Sequence, residues 1–513
     1  MASTRTSLLL LGAYAATANA EALSVDLSSA SSIKTAMSTV AYNLMTYYKG
    51  NLSGNTPGIL PGPPPAGDYY WWEGGALWGT MVDYWHYTGD TTYNNQTEYS
   101  LVFQAGAPED KYMPANWTAS LGNDDQGFWG MSAMLAAETK FQNPGSSDPQ
   151  WLELAQGVFN SQAARWSTDY CNGGLRWQIP LSNNGYNYKN SIANAIFFNI
   201  GARLARYTKN DTYAQWAETT YNWTRGVGYI DDNWNIYDGG HVDENCTDIN
   251  KAQYSYVPAI FIQGCGFMYN YLFQTDGSEL WKNRIIGLVN RTLEVFFPNN
   301  TAVELSCELT SNIQCTTDML SYKGYLHRWL AQVTQVAPFI HDTIMPVLKA
   351  SAEAAVRNCD SNGTCGFRWT TASYDDDTGA GQQMNALGAM MSVLLDLEAI
   401  NTAVTNDTGG TSVGNNAAGT DSSDSVTTLS AITTGDRAGA SIVTVVVVAG
   451  LTSMLLWMST GENEGSLAPG LDNFPVGWLK ASSGDAPGLR DSVAVAVAVD
   501  AAAVAAKRAT MAA

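Results

Sequence analysis

Charge is scarce in this 513-residue chain. Charged residues make up 14% of it, and 26 Lys and Arg are outnumbered by 47 Asp and Glu, leaving a net charge of −21. That balance argues against nucleic acid or an anionic membrane surface as a partner, because both are held by a basic face. Histidine is rarer still. His86, His241, His327 and His341 stand far apart with no i, i+4 pair, and none of the seven cysteines has zinc spacing, so neither a metal nor a cofactor is expected. Strand-like alternation is scarce too. Apolar residues recur instead at helical spacing, in Ile33, Met37, Val40, Ala41, Leu44 and Met45, in Leu77, Met81 and Trp85, and in Ile196, Ile200 and Leu204.

What the chain has in quantity is rings: aromatics are 11%, including 17 Trp and 26 Tyr. Such rings serve a core, and they also stack on the apolar face of a sugar. The two ends point to a secretory route. Arg5, the apolar run Leu8 to Ala16 and Ala18-Asn19-Ala20 make residues 1–20 a signal peptide. Ten Asn-x-Ser/Thr sequons follow, at Asn51, Asn95, Asn116, Asn210, Asn222, Asn245, Asn290, Asn299, Asn362 and Asn406. Cys307 with Cys315 and Cys359 with Cys365 are spaced to close small disulfide loops, while Cys171, Cys246 and Cys265 leave one odd thiol. Residues 404–441 are rich in Thr, Ser, Gly, Asn and Ala and are expected to form an unfolded stalk. The apolar stretch 442–458 fits a short transmembrane span or the tail of a GPI-attachment signal; the acidic flank Gly461-Glu462-Asn463-Glu464 favours the GPI signal. Residues 459–513 are a low-complexity tail outside that scheme, as a mispredicted last exon would be.

Residues 21–403 carry the catalytic candidate. A polar turn followed by an aromatic that opens the next helix recurs at Thr88 to Tyr93, Asn143 to Trp151, Thr208 to Tyr213 and Thr275 to Trp281. The aromatics are 58, 62 and 68 residues apart, the length of a helical hairpin with its loops, and six such units fill the region. The fold expected is all-α, an (α/α)6 barrel of six helical hairpins.

Chemistry is then expected on the loops at one end of the barrel. Gly122-Asn123-Asp124-Asp125-Gln126 places two adjacent carboxylates directly before Phe128, Trp129, Met131, Met134 and Leu135, the start of a buried helix. The helix dipole favours an anion there, and a like charge raises the proton affinity of one of the pair. One ionised and one protonated carboxyl group is the division of labour of glycoside hydrolysis, with retention at a separation of about 5–5.5 Å. The alternative is ordinary capping of a helix start. Asp68-Tyr69-Tyr70-Trp71-Trp72-Glu73-Gly74-Gly75, Asn172-Gly173-Gly174-Leu175-Arg176-Trp177 and Tyr237-Asp238-Gly239-Gly240-His241 add rings and carboxylates in Gly-rich surroundings. Gly410-Thr411-Ser412-Val413-Gly414 matches a serine-hydrolase elbow only formally, lacking the strand and helix that the elbow needs.

On Tyr70-Trp71-Trp72-Glu73 running into Gly75-Ala76-Leu77-Trp78, on Asn123-Asp124-Asp125-Gln126, Gly173-Gly174-Leu175-Arg176-Trp177, Tyr188-Lys189-Asn190-Ser191 and Tyr237-Asp238-Gly239-Gly240, the chain resembles glycoside hydrolase family 76 and, within it, the fungal cell-wall mannosidases of the Dfg5/Dcw1 type. The resemblance implies an (α/α)6 barrel acting on α-1,6-linked mannose, with Asp124 as nucleophile and Asp125 as general acid/base. It implies Trp72, Glu73, Trp177 and Asp238 as substrate-binding residues. For the fungal branch it further implies a GPI-anchored transglycosylase at the outer leaflet and cell wall, whose donor is the α-mannosyl core of GPI glycans or α-1,6-mannan and whose acceptor is wall β-glucan. A plain endo-α-1,6-mannanase and a non-catalytic wall mannoprotein stay open beside it.

Overall fold

In the computed structural model residues 22–107, 111–273, 275, 277–309, 314–420 and 434–459 are described. The expected signal peptide and all but the first residue of the 459–513 tail lie outside them. Among the described residues twelve α-helices precede residue 400: α1 (Ala30–Tyr47), α2 (Trp71–Thr88), α3 (Asn94–Phe103), α4 (Asn123–Thr139), α5 (Trp151–Ala164), α6 (Ser191–Thr208), α7 (Asp211–Gly226), α8 (Tyr256–Tyr271), α9 (Gly277–Phe296), α10 (Tyr322–Val336), α11 (His341–Arg357) and α12 (Ala380–Leu397). The even-numbered helices close an inner ring in chain order, with α12 returning to α2. The odd-numbered ones lie outside, α3 on α2, α5 on α4, α7 on α6, α9 on α8, and both α11 and α1 on α12. This is the (α/α)6 barrel of six hairpins. Composition explains the two rings: α6 buries 16 of its 18 residues, apolar or small except for Asn194, Asn199 and Arg203, whereas its outer partner α7 buries six of 16 on one stripe.

The repeated polar turns are the inner-to-outer connections at one end of the barrel, and Trp151 and Trp281 behind them are buried in the wall. The fifth such turn, Pro338–Ile340, is apolar and escapes a repeat search. Connections from outer to inner helices are long, and all emerge at the other end, where the inner helices have their N-termini. A short antiparallel pair, β1 (Tyr188–Asn190) and β2 (Gly239–His241), joins two of them. Both expected small-loop disulfides form, and Cys171 pairs with Cys246 to leave Cys265 as the buried free thiol.

Burying polar side chains requires partners, and the barrel axis supplies them in a belt. Arg328 of α10 binds Asp83 of α2 at 2.7 Å; Gln332 also donates to Asp83, and Gln263 of α8 to Gln332. Asn199 of α6 donates to Gln263 at 2.9 Å, and Arg203 closes the belt on Glu138 of α4 at 2.7 Å. Both ion pairs are almost wholly shielded from solvent.

The stretch from 404, expected as an unfolded stalk, packs on the barrel as far as Thr420. It has little apolar surface to bury, but its polar groups complete the wall. Val404 N–H donates to Glu138 O, the Ser412 hydroxyl accepts from the Leu152 amide at 2.8 Å, and Asn416 accepts from Gln156. Ser412 of the elbow-like pentapeptide is thus a structural cap on α5. Residues 421–433 are outside the described ones. A further helix, α13 (Thr434–Ser459), covers the expected hydrophobic tail and belongs to a separate unit. Among the described residues no helix is long and apolar enough to cross a membrane.

Arg203→Met is expected to strand Glu138 as a buried uncompensated charge and to lower stability by about 3–5 kcal/mol in a denaturant melt. A chain ending at 403 is expected to melt several degrees below one ending at 420, because each lost bond to α5 removes about 1 kcal/mol.

Candidate active site

The long connections wall a cleft of ≈ 480 Å³ over the N-termini of the inner helices. Its floor is the start of α4. Gly122 and Gln178 bridge in antiparallel fashion, Asn123 N–H donates to Trp177 O at 2.8 Å, and Ile179 N–H to Leu121 O at 3.0 Å. The Asn123 side chain bonds Arg176 O and accepts from Arg165 Nε. The dyad and Trp177 are therefore laced into one unit. A Cβ at Gly122 would stand 2.2 Å from Asp124 Oδ1 and push that carboxylate out of place.

Asp124 and Asp125 are the second and third residues of α4, and both line the cleft. Asp125 Oδ2 accepts the Gly122 N–H at 2.7 Å, so this residue caps its helix and faces the cleft at once. Burial pushes the proton affinity of Asp124 well above the usual carboxylate range, and the Asp125 charge adds to it, while the Trp177 indole opposes the shift. Burial likewise pushes Asp125 up to about 6, with Asp318 adding and the Gly122 N–H opposing. Two such neighbours resist ionising together, which favours a pair that shares one proton.

Of the residues implied as substrate contacts, Trp177 lines the cleft and is 37% exposed. Arg176 beside it lies 4.5 Å above the Tyr186 ring. Asp238 lines the cleft, accepting from Tyr188 Oη at 2.8 Å and Asn250 Nδ2 at 3.1 Å, and burial raises its proton affinity. Its backbone carbonyl accepts the Ser191 N–H where β1 runs into α6. Trp72 lines the cleft as floor rather than wall. It is 8% exposed, lies 4.5 Å from the Phe128 ring, and donates its indole N–H to Asp318. Glu73 is not among the cleft-lining residues. It occupies the third position of α2, where its carboxylate accepts the Tyr70 N–H at 2.8 Å and is fully buried. The four consecutive aromatics also divide: Tyr70 and Trp72 line the cleft, whereas Trp71 stacks on Trp129 and the Tyr69 hydroxyl accepts the Ala380 N–H.

Sequence reasoning missed Asp318, Tyr254, Tyr256 and Tyr322, which also line the cleft; Tyr256 and Tyr322 stack 3.8 Å apart. A lone Asp and scattered tyrosines carry no local signal. Behind the wall, Lys189 Nζ donates to the carbonyls of Ser167, Tyr170 and Gly173 and, with the Cys171–Cys246 bridge, fixes the loop that leads to Trp177. Burial lowers its proton affinity to about 8. Four carboxylates and eight rings thus line the cleft, and no Lys, Arg or His is among the described residues that do.

Residues 32–406 match the family model of glycosyl hydrolase family 76. The chain belongs to that family. As a family-76 enzyme it is a glycoside hydrolase. It is 41% identical over 455 residues to a mannan endo-1,6-alpha-mannosidase of Saccharomyces cerevisiae, covering 88% of this chain and 98% of that one. It is 44% identical to a putative mannan endo-1,6-alpha-mannosidase of Schizosaccharomyces pombe, over 73% of this chain and 84% of that one. Among solved structures it is similar to Dfg5 from Chaetomium thermophilum in complex with glucosamine, with 51% identity and a TM-score of 0.74 over 78% of this chain and 98% of that one.

Trp177→Ala is expected to raise KM with little change in Tm. Trp72→Ala is expected to lower stability by about 3–5 kcal/mol as a core aromatic does; paired melts and steady-state kinetics separate the two.

Proposed function

We propose that the protein is a retaining enzyme of α-1,6-linked mannose that acts on the glycan core of GPI anchors and passes the mannosyl unit, with its attached protein, to a sugar hydroxyl of wall β-glucan. The observation that carries this reading is the adjacent Asp124–Asp125 pair at the start of α4, at the base of an aromatic cleft whose charged lining residues, among those described, are all carboxylates. The mannan endo-1,6-alpha-mannosidases among the relatives support the linkage. The glucosamine complex of the Chaetomium relative supports the GPI core, because a free amino sugar is cationic at neutral pH and suits four carboxylates with no competing base.

Asp124 attacks the anomeric carbon as its C–O bond to the leaving sugar breaks, and Asp125 gives its proton to the departing oxygen. This requires the pair's proton on Asp125 at the moment of attack; the Trp177 indole and the α4 dipole both favour an ionised Asp124. In the second step Asp125 takes the proton of the incoming hydroxyl, and that oxygen displaces Asp124 with configuration retained. A wall of rings that excludes water favours a sugar over water as acceptor. The signal peptide and the hydrophobic tail support a place at the cell surface, held by a GPI anchor.

Incubating a labelled GPI-core oligosaccharide with the enzyme is expected to yield a β-glucan conjugate when glucan is present. Free reducing sugar alone under both conditions would leave a hydrolase whose acceptor is water. Asp124→Asn is expected to abolish turnover of every substrate, whereas Asp125→Asn spares glycosylation by an activated leaving group that needs no proton. Equal losses there overturn the assigned roles.

A further inference from the structure

Asp318 is a carboxylate that the steps above do not use. It opens the short turn Asp318–Ser321 ahead of α10, three residues beyond the Cys307–Cys315 bridge. The Trp72 indole N–H donates to its Oδ1 at 2.9 Å, and Trp72 is wedged against Phe128 on the dyad's own helix. A further carboxyl group is thereby fixed in the cleft of Asp124 and Asp125. We propose that Asp318, held by Trp72, is a positioning residue whose charge keeps the catalytic pair singly protonated. The inference rests on Asp125 as the acid/base.

The groups that feel the charge of Asp318 are Glu73 from α2, Asp125 from α4, Tyr256 from α8, and Tyr322 and Tyr325 from α10, while Asp124, Asp238 and Tyr254 line the same cleft. All are acidic or phenolic, so nothing among them cancels its charge. Losing the pair's last proton would set a third negative charge into a poorly solvated site. The cost of that step falls on the acid's proton, which stays until the leaving oxygen takes it. Trp72 supports this by donating to the ionised form of Asp318, whose own proton affinity burial raises. The same charge raises the proton affinity of Asp125.

The test is the pH profile of kcat/KM on an α-1,6-mannoside with an unactivated leaving group. Asp318→Asn is expected to move the basic limb toward acid by roughly one pH unit, and Asp318→Glu to restore it. Trp72→Phe keeps a ring on Phe128 but removes the N–H, and moves the limb the same way by less. A basic limb that stays in place in folded Asp318→Asn, or a rise in KM uniform with pH, overturns the inference. Should Asp318→Asn not fold, an unmoved limb in Trp72→Phe overturns it equally. Full activity of Asp125→Asn on the same substrate would instead remove the acid/base assignment, whatever Asp318 does.

Discussion

A ring of six helices has an axis to fill, and the polar belt from Asp83 through Arg328, Gln332, Gln263, Asn199 and Arg203 to Glu138 fills the lower part of it. Apolar packing alone is indifferent to small slips of one helix along another. Charged pairs that lose several kcal/mol when parted are not. By joining α2, α10, α8, α6 and α4 at fixed heights, the belt sets the level at which five inner helices begin. The catalytic end inherits that level, because the cleft is built from the first turns of those helices.

Those first turns have a shared electrostatic character. Each inner helix presents its N-terminal amides toward the cleft, and the sum is a positive field facing Asp124, Asp125 and Asp318. The side chains reverse it, with four carboxylates and no cation among the described lining residues. Backbone and side chain therefore work in opposition. The helix ends make carboxylates tolerable at the floor of a poorly solvated cavity, and burial with mutual repulsion keeps them reluctant to ionise together. A pair in that state holds an ionised and a protonated carboxyl group within one turn of helix.

Much of this was legible in the sequence. Ile196, Ile200 and Leu204 announce a buried helix, the turns behind Thr88 and Thr208 announce hairpins, and Asp124-Asp125 stand out as adjacent carboxylates at a helix start. What was not legible depends on pairing across the chain. Glu73 is a cap because of its place in the first turn of α2, although it shares a motif with cleft residues. Asp318 meets Trp72 across 246 positions, a distance that no local pattern spans. The segment 404–420 looks too polar to fold because its value to the barrel lies in single hydrogen bonds, such as Ser412 to the Leu152 amide, rather than in apolar area.

That segment also sets a direction. It starts beside the C-terminal end of α4, and its contacts then climb α5 from Leu152 through Gln156 to Asn160, toward Arg165, whose side chain touches Asn123 beside the dyad. The polypeptide thus leaves the barrel on its flank beside the middle of α5, and none of residues 404–420 lines the cleft, so the chain's exit leaves the opening clear.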